Sequence, residues 1–128
     1  MTRPVIHTPW GVAQHVTEIA PGIVSYSTAS HGGIHLSDER VAEMPAALQD
    51  FVPFGGPQPG PGRWYEEDCD WSVVCLAFPQ FFTESDAQAA HATLKGYRTA
   101  VYKAFVEGSP STSVVHARVE QAEAEREL

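Results

Sequence analysis

Residues 12–36, VAQHVTEIAPGIVSYSTASHGGIHL, decide the fold. Residues 12–20 and 22–29 are rich in β-branched and aromatic side chains, which suit a pleated, half-buried surface, and Ala20-Pro21-Gly22 between them is a turn signal. The two runs predict a β-hairpin. Ser30-His31-Gly32-Gly33 predicts a second turn, its glycines taking positive φ, and Ile34-His35-Leu36 returns as a short third strand. In the second strand Ile23, Ser25 and Ser27 share one face while Val24, Tyr26 and Thr28 share the other, so one face is the more apolar and should meet the helices.

Beyond this meander the pattern turns helical. Ser37 is a helix cap followed by Asp38 and Glu39, acids favoured at the positive end of a helix dipole. Pro45 interrupts that helix, and residues 45–51 restart as a short one with proline in its first turn. Residues 53–62 (PFGGPQPGPG) hold four prolines and four glycines, which excludes regular structure and marks a surface loop. Asp70 is an N-cap for residues 71–78, a run that reads as a buried helix but equally as a central strand. Thr83 and Asp86 form a capping box before a helix over 87–98, a further helix covers 99–106, and 114–127 carries a terminal helical stripe. The expectation is an α+β fold of one domain, a small antiparallel β-meander followed by helices. Its irregular parts are a flexible N-terminus (1–9), the 53–62 loop and a C-terminal helix or tail (111–128).

At 128 residues and 43% hydrophobic composition the chain can build one modest core. No apolar run reaches the roughly 20 residues needed to span a bilayer, and the first residues lack the apolar core of a secretion signal. Cys69 and Cys75, the only cysteines, are too close in sequence for a disulfide framework, so both are expected as free thiols in the cytoplasm. Eight basic against sixteen acidic residues give a net charge of −8, which argues against binding a phosphate backbone. Residues 64–94 contain six acids and no Lys or Arg, a segment that attracts a cation or a basic protein surface.

The chemistry-bearing groups concentrate in two places. His31 lies at the predicted hairpin tip, and Trp64-Tyr65-Glu66-Glu67-Asp68-Cys69-Asp70-Trp71 sets four carboxylates among three aromatic rings. Two histidines spaced as His31-x-x-x-His35 match helical zinc ligands, but Gly32-Gly33 breaks a helix, and along a strand the pair would stand about 13 Å apart. His31 with Glu67 and Asp68 would instead make an acid/base pair or a structural lock between the two halves of the chain. Cys69 is a poor nucleophile, because flanking acids disfavour its thiolate. In a strand Glu66, Asp68 and Asp70 would share one face, able to hold Mg²⁺ or Ca²⁺ or to meet an arginine-rich partner. Trp64, Tyr65 and Trp71 alongside would supply interface anchors. No metal or other cofactor is called for.

Trp10-Gly11, Ile19-Ala20-Pro21-Gly22-Ile23, Ser27-Thr28-Ala29-Ser30-His31-Gly32-Gly33, Leu36-Ser37, Met44-Pro45 and Tyr65-Glu66-Glu67-Asp68 carry a resemblance. Over roughly residues 10–82 the chain resembles an uncharacterised family of small proteins from phages, plasmids and proteobacterial genomes. The resemblance implies a setting in mobile elements, where small proteins often serve as accessory or counter-defence factors.

The function expected first is therefore a non-enzymatic counter-defence protein, of the anti-CRISPR or anti-restriction type. It would bind the basic surface of a host defence protein through Trp64, Tyr65, Glu66, Glu67, Asp68 and Asp70, without nucleic acid or membrane. The alternative is a small hydrolase or nuclease using His31 with Glu67 and Asp68, metal-assisted or not. A third reading is a structural or regulatory module with a homodimeric interface.

Overall fold

The structure, a computed structural model, describes residues 5–53, 56, 58 and 60–108. The Pro-Gly turn forms where expected: β3 (His15–Ala20) and β4 (Ile23–Ser27) pair antiparallel, with an irregularity between Glu18 and Ala20. β5 (Gly32–Leu36) adds to β4. A fourth strand that the meander did not include, β6 (Arg63–Glu66), pairs with β5, giving a four-stranded sheet in the order β3-β4-β5-β6. β1 (His7–Thr8), in the segment expected as a flexible N-terminus, pairs with β2 (Gly11–Val12) as a small separate hairpin, so Val12 stands outside the meander strand it was expected to begin.

The helices follow their punctuation. α1 (Asp38–Glu43) starts on Ser37, whose hydroxyl accepts the Arg40 N–H, and stops at Met44 before Pro45. α2 (Ala46–Gln49) is a single turn. Residues 71–78, open between helix and strand in the sequence, fold as α3 (Trp71–Ala77), and a 3-10 turn (Pro79–Phe81) follows. α4 (Glu84–Tyr97) opens with the expected capping box: Thr83 Oγ1 accepts from the Asp86 N–H at 3.0 Å, and the Asp86 carboxylate accepts from the Thr83 N–H at 3.1 Å. α5 (Thr99–Val106) comes next. The expected terminal helix over 114–127 lies outside the described residues, as does much of the 53–62 loop. The fold is α+β.

Helices cover one face of the sheet. Ile23, Ile34, Leu36 and Tyr65 point into a core completed by Val41, Met44, Leu48 and Phe51, by Val73, Val74, Cys75 and Leu76, and by Ala90 and Leu94. Leu36, Leu48 and Leu94 are wholly buried, each worth about 1.5–3 kcal/mol of transfer free energy. The covered side of β4 is thus the one bearing Ile23, Ser25 and Ser27. Helix cover is concentrated at its Ile23 end, where the residue is fully buried, while Ser25 and Ser27 stay half-buried. Arg40 ties the layers together. Its Nε donates to the Pro21 carbonyl at 2.8 Å, and its guanidinium lies 5.5 and 5.2 Å from the Phe78 and Phe81 ring centroids. Among the described residues no helix is long and apolar enough to cross a membrane.

Candidate functional site

Among the described residues, the opposite face of the sheet carries no helix, and it concentrates the polar and aromatic groups. Strand alternation and register place two rows across it. Val16, Tyr26, Gly33 and Glu66 stand opposite one another, and beside them Glu18, Val24, His35 and Trp64. The Trp64 ring is the hub, with its centroid 4.5 Å from His35, 5.1 Å from Tyr26 and 5.7 Å from Trp10, the last edge-on. Trp10 arrives from the turn of the small hairpin, which Thr8 ties by donating its hydroxyl to the Gly11 carbonyl at 2.8 Å. None of these rings is deeply buried, so the face is only partly roofed.

Gly32 and Gly33 are strand residues, and neither takes positive φ. The true turn is residues 28–31, closed by the Thr28 N–H donating to the His31 carbonyl at 2.7 Å and by the Thr28 hydroxyl accepting the His31 N–H at 3.1 Å. The glycines are needed for close approach. A Cβ on Gly33 would overlap the Trp10 ring and the Tyr65 carbonyl, and one on Gly32 would sit 2.6 Å from the Tyr26 carbonyl and 3.0 Å from Glu67 Oε2.

At the edge of this face the turn meets the end of β6. The Glu67 N–H donates to the Gly32 carbonyl at 2.9 Å, and His31 Nδ1 stands 3.6 Å from Glu66 Oε1. One ligand atom from each of His31, Glu66 and Glu67 lies within 4.8 Å of the others. Glu66 Oε1 is buried with no hydrogen-bond donor, while Oε2 accepts the Asp68 N–H at 2.9 Å. Burial first, then the neighbouring Asp68 charge, pushes the Glu66 carboxyl above the usual carboxylate range, against the opposing pull of the Asp68 N–H and of His31.

The acidic cluster does not share one face. The strand ends at Glu66, where its own carboxylate captures the Asp68 N–H and turns the chain. Asp68 and Glu67 are exposed, but Asp70 is 1% exposed and Tyr65 fully buried. Those two belong to the interior and cannot contribute to an accessible patch. Asp70 holds the N-cap position of α3 without a side-chain cap bond. Its carboxylate lies toward Tyr97 of α4, whose hydroxyl pKa is pushed up by burial, with Arg98 opposing the shift and Asp70 adding to it. Cys69 is half-buried, its thiol raised by burial and then by Asp68, Asp70 and Glu66.

The comparisons with known proteins now bear on this geometry. The family described as Domain of unknown function (DUF7007) matches residues 3–127. The chain belongs to that family. No curated protein and no solved structure matches it. For this domain, then, the site rests on its own geometry, which adds Trp10 and Tyr26 to the residues the sequence points to and places His35 against Trp64. The alternation Val24-x-Tyr26 and the glycine opposite it were the available signals, but the partner ring, Trp10, comes from a hairpin too short to register as strands.

Proposed function

We propose that this domain is a non-enzymatic binding protein that docks a basic protein surface on the open face of its sheet. The observation that carries the reading is the composition of that face: Trp64, Tyr26 and Trp10 half-exposed at its centre, Glu18 and Glu66 in its strands, Glu67 and Asp68 at its rim, and no Lys or Arg in either row. Aromatic anchors with a charged rim are the anatomy of protein interfaces, and the charge sign selects a basic partner while repelling nucleic acid. Cytoplasmic residence fits the two free thiols. The concrete form is inhibition of a host defence complex, CRISPR or restriction, by covering its basic surface; its support is the mobile-element setting that the sequence resemblance implies.

A hydrolase or nuclease using His31 with Glu67 and Asp68 needs those groups to converge in a concave pocket. A cavity of about 410 Å³ is lined by Gln49, Phe51, Pro53, Gln58 and Arg63 among others and by none of those three, which favours the binding reading. The test is capture of partners by the full chain and by Glu18→Gln/Glu67→Gln/Asp68→Asn. The triple variant should keep its thermal midpoint but bind about tenfold more weakly at low salt, with the difference closing as salt rises. Identical capture by both proteins at every salt concentration would refute the acidic docking face.

A further inference from the structure

We propose that His31, Glu66 and Glu67 form a binding site for one borderline divalent metal ion of the Zn²⁺ or Mn²⁺ class. This stands independently of the docking reading, because it concerns the turn-strand corner and needs no partner. Two ligands on one tetrahedral ion, each about 2.0–2.1 Å from it, stand about 3.4 Å apart. His31 Nδ1 and Glu66 Oε1 are 3.6 Å apart, and one ligand atom from each of His31, Glu66 and Glu67 lies within 4.8 Å of the others. The remaining adjustment falls on His31 and Glu67, both exposed and free to turn about their side-chain bonds.

Three features mark the corner as a site for an ion. Glu66 Oε1 is buried and accepts no hydrogen bond, with His31 Nδ1 facing it at 3.6 Å, beyond hydrogen-bond distance. Its sister oxygen is held by the Asp68 N–H, the backbone orientation that metal-ligating carboxylates commonly receive. Gly32 leaves open the space beneath the Glu67 carboxylate, since a Cβ there would come 3.0 Å from Glu67 Oε2. One imidazole with two carboxylates suits Zn²⁺ or Mn²⁺ better than Mg²⁺ or Ca²⁺, which prefer all-oxygen shells. Three protein ligands leave the rest of the coordination sphere to water or to a side chain offered by another molecule.

Calorimetric titration of the full chain with ZnCl₂ and with MnCl₂, in a buffer that does not chelate, tests the site. The expected result is one ion per chain, with His31→Ala and Glu67→Gln each weakening binding at least about tenfold. His15→Ala, an exposed histidine elsewhere on the sheet, should leave affinity unchanged. Substituting Co²⁺ should give a visible absorption band that is lost in His31→Ala, and NMR should show the His31 imidazole responding to the ion. Excess Mg²⁺ should not displace Zn²⁺. Unaltered Zn²⁺ and Mn²⁺ affinity in both ligand variants, or no binding of either ion at millimolar concentration, overturns the site and leaves His31 and Glu66 as an ion pair only. Displacement by Mg²⁺ overturns the donor assignment.

Discussion

Replacing Gly33 with alanine sets two effects of opposite sign against each other. Gly33 lies in the interior of β5 without positive φ, so on backbone grounds alone alanine should stabilise the strand by about 0.5–1 kcal/mol. The added methyl, however, would overlap both the Trp10 ring and the Tyr65 carbonyl. The ring can swing away, but the carbonyl is part of the adjacent strand and cannot move without disturbing the β5–β6 pairing. Overpacking of this kind costs about 1–3 kcal/mol, so the clash outweighs the backbone gain and Gly33→Ala should destabilise by up to roughly 2.5 kcal/mol. Urea unfolding followed by tryptophan fluorescence reads the change, with an unaltered m-value. In a Trp10→Ala background the cost should fall but stay above zero, because the overlap with the Tyr65 carbonyl remains, and the double-mutant cycle separates the two contributions. A stabilised Gly33→Ala protein would refute the close approach of Trp10 and Tyr65 to this glycine.

Two further outcomes follow from the ionisable groups. The Glu66 carboxyl titrates above its ordinary 4.5 in the fold, so across that interval the native state keeps a proton the unfolded chain has released, and stability falls as pH rises through it. Glu66→Gln should therefore gain stability relative to wild type between pH 4 and pH 7, as measured by urea midpoints; a difference that does not change with pH would count against the burial of this carboxylate. Cys75 is buried and its thiol is pushed up to about 11, so iodoacetamide at pH 7.5 should modify it only in denaturant. Cys69 should label slowly in the native protein and faster at high salt, as its acidic neighbours are screened; equal native rates for the two thiols would contradict this.

Four local signals of the sequence match local contacts in the structure. The Pro21-Gly22 turn, the Ser37 cap, the stop before Pro45 and the Thr83–Asp86 capping box each involve residues within a few positions of one another. β6 depends on β5, nearly thirty residues earlier and across a proline- and glycine-rich loop, and four residues of alternation are too few to announce a strand by themselves. The acidic cluster departs from strand alternation because the chain leaves the sheet at Glu66, where its carboxylate accepts the Asp68 N–H, and Asp70 turns inward toward Tyr97 in the helical layer. A count of carboxylates cannot distinguish a rim acid from a core one.

Gly32-Gly33 shows how a correct emphasis can have the wrong physical cause. The pair was singled out because glycine tolerates positive φ, yet the structure uses its lack of a side chain. One glycine admits the Trp10 ring to the open face, and the other admits the Glu67 carboxylate beside His31 and Glu66. Because alternate strand residues point to opposite faces, two adjacent glycines relieve both sides of β5 at once. That couples the aromatic cluster of the open face to the corner of His31, Glu66 and Glu67 through a single dipeptide. A side chain at either position would therefore perturb one feature directly and, through the shared strand register, shift the other.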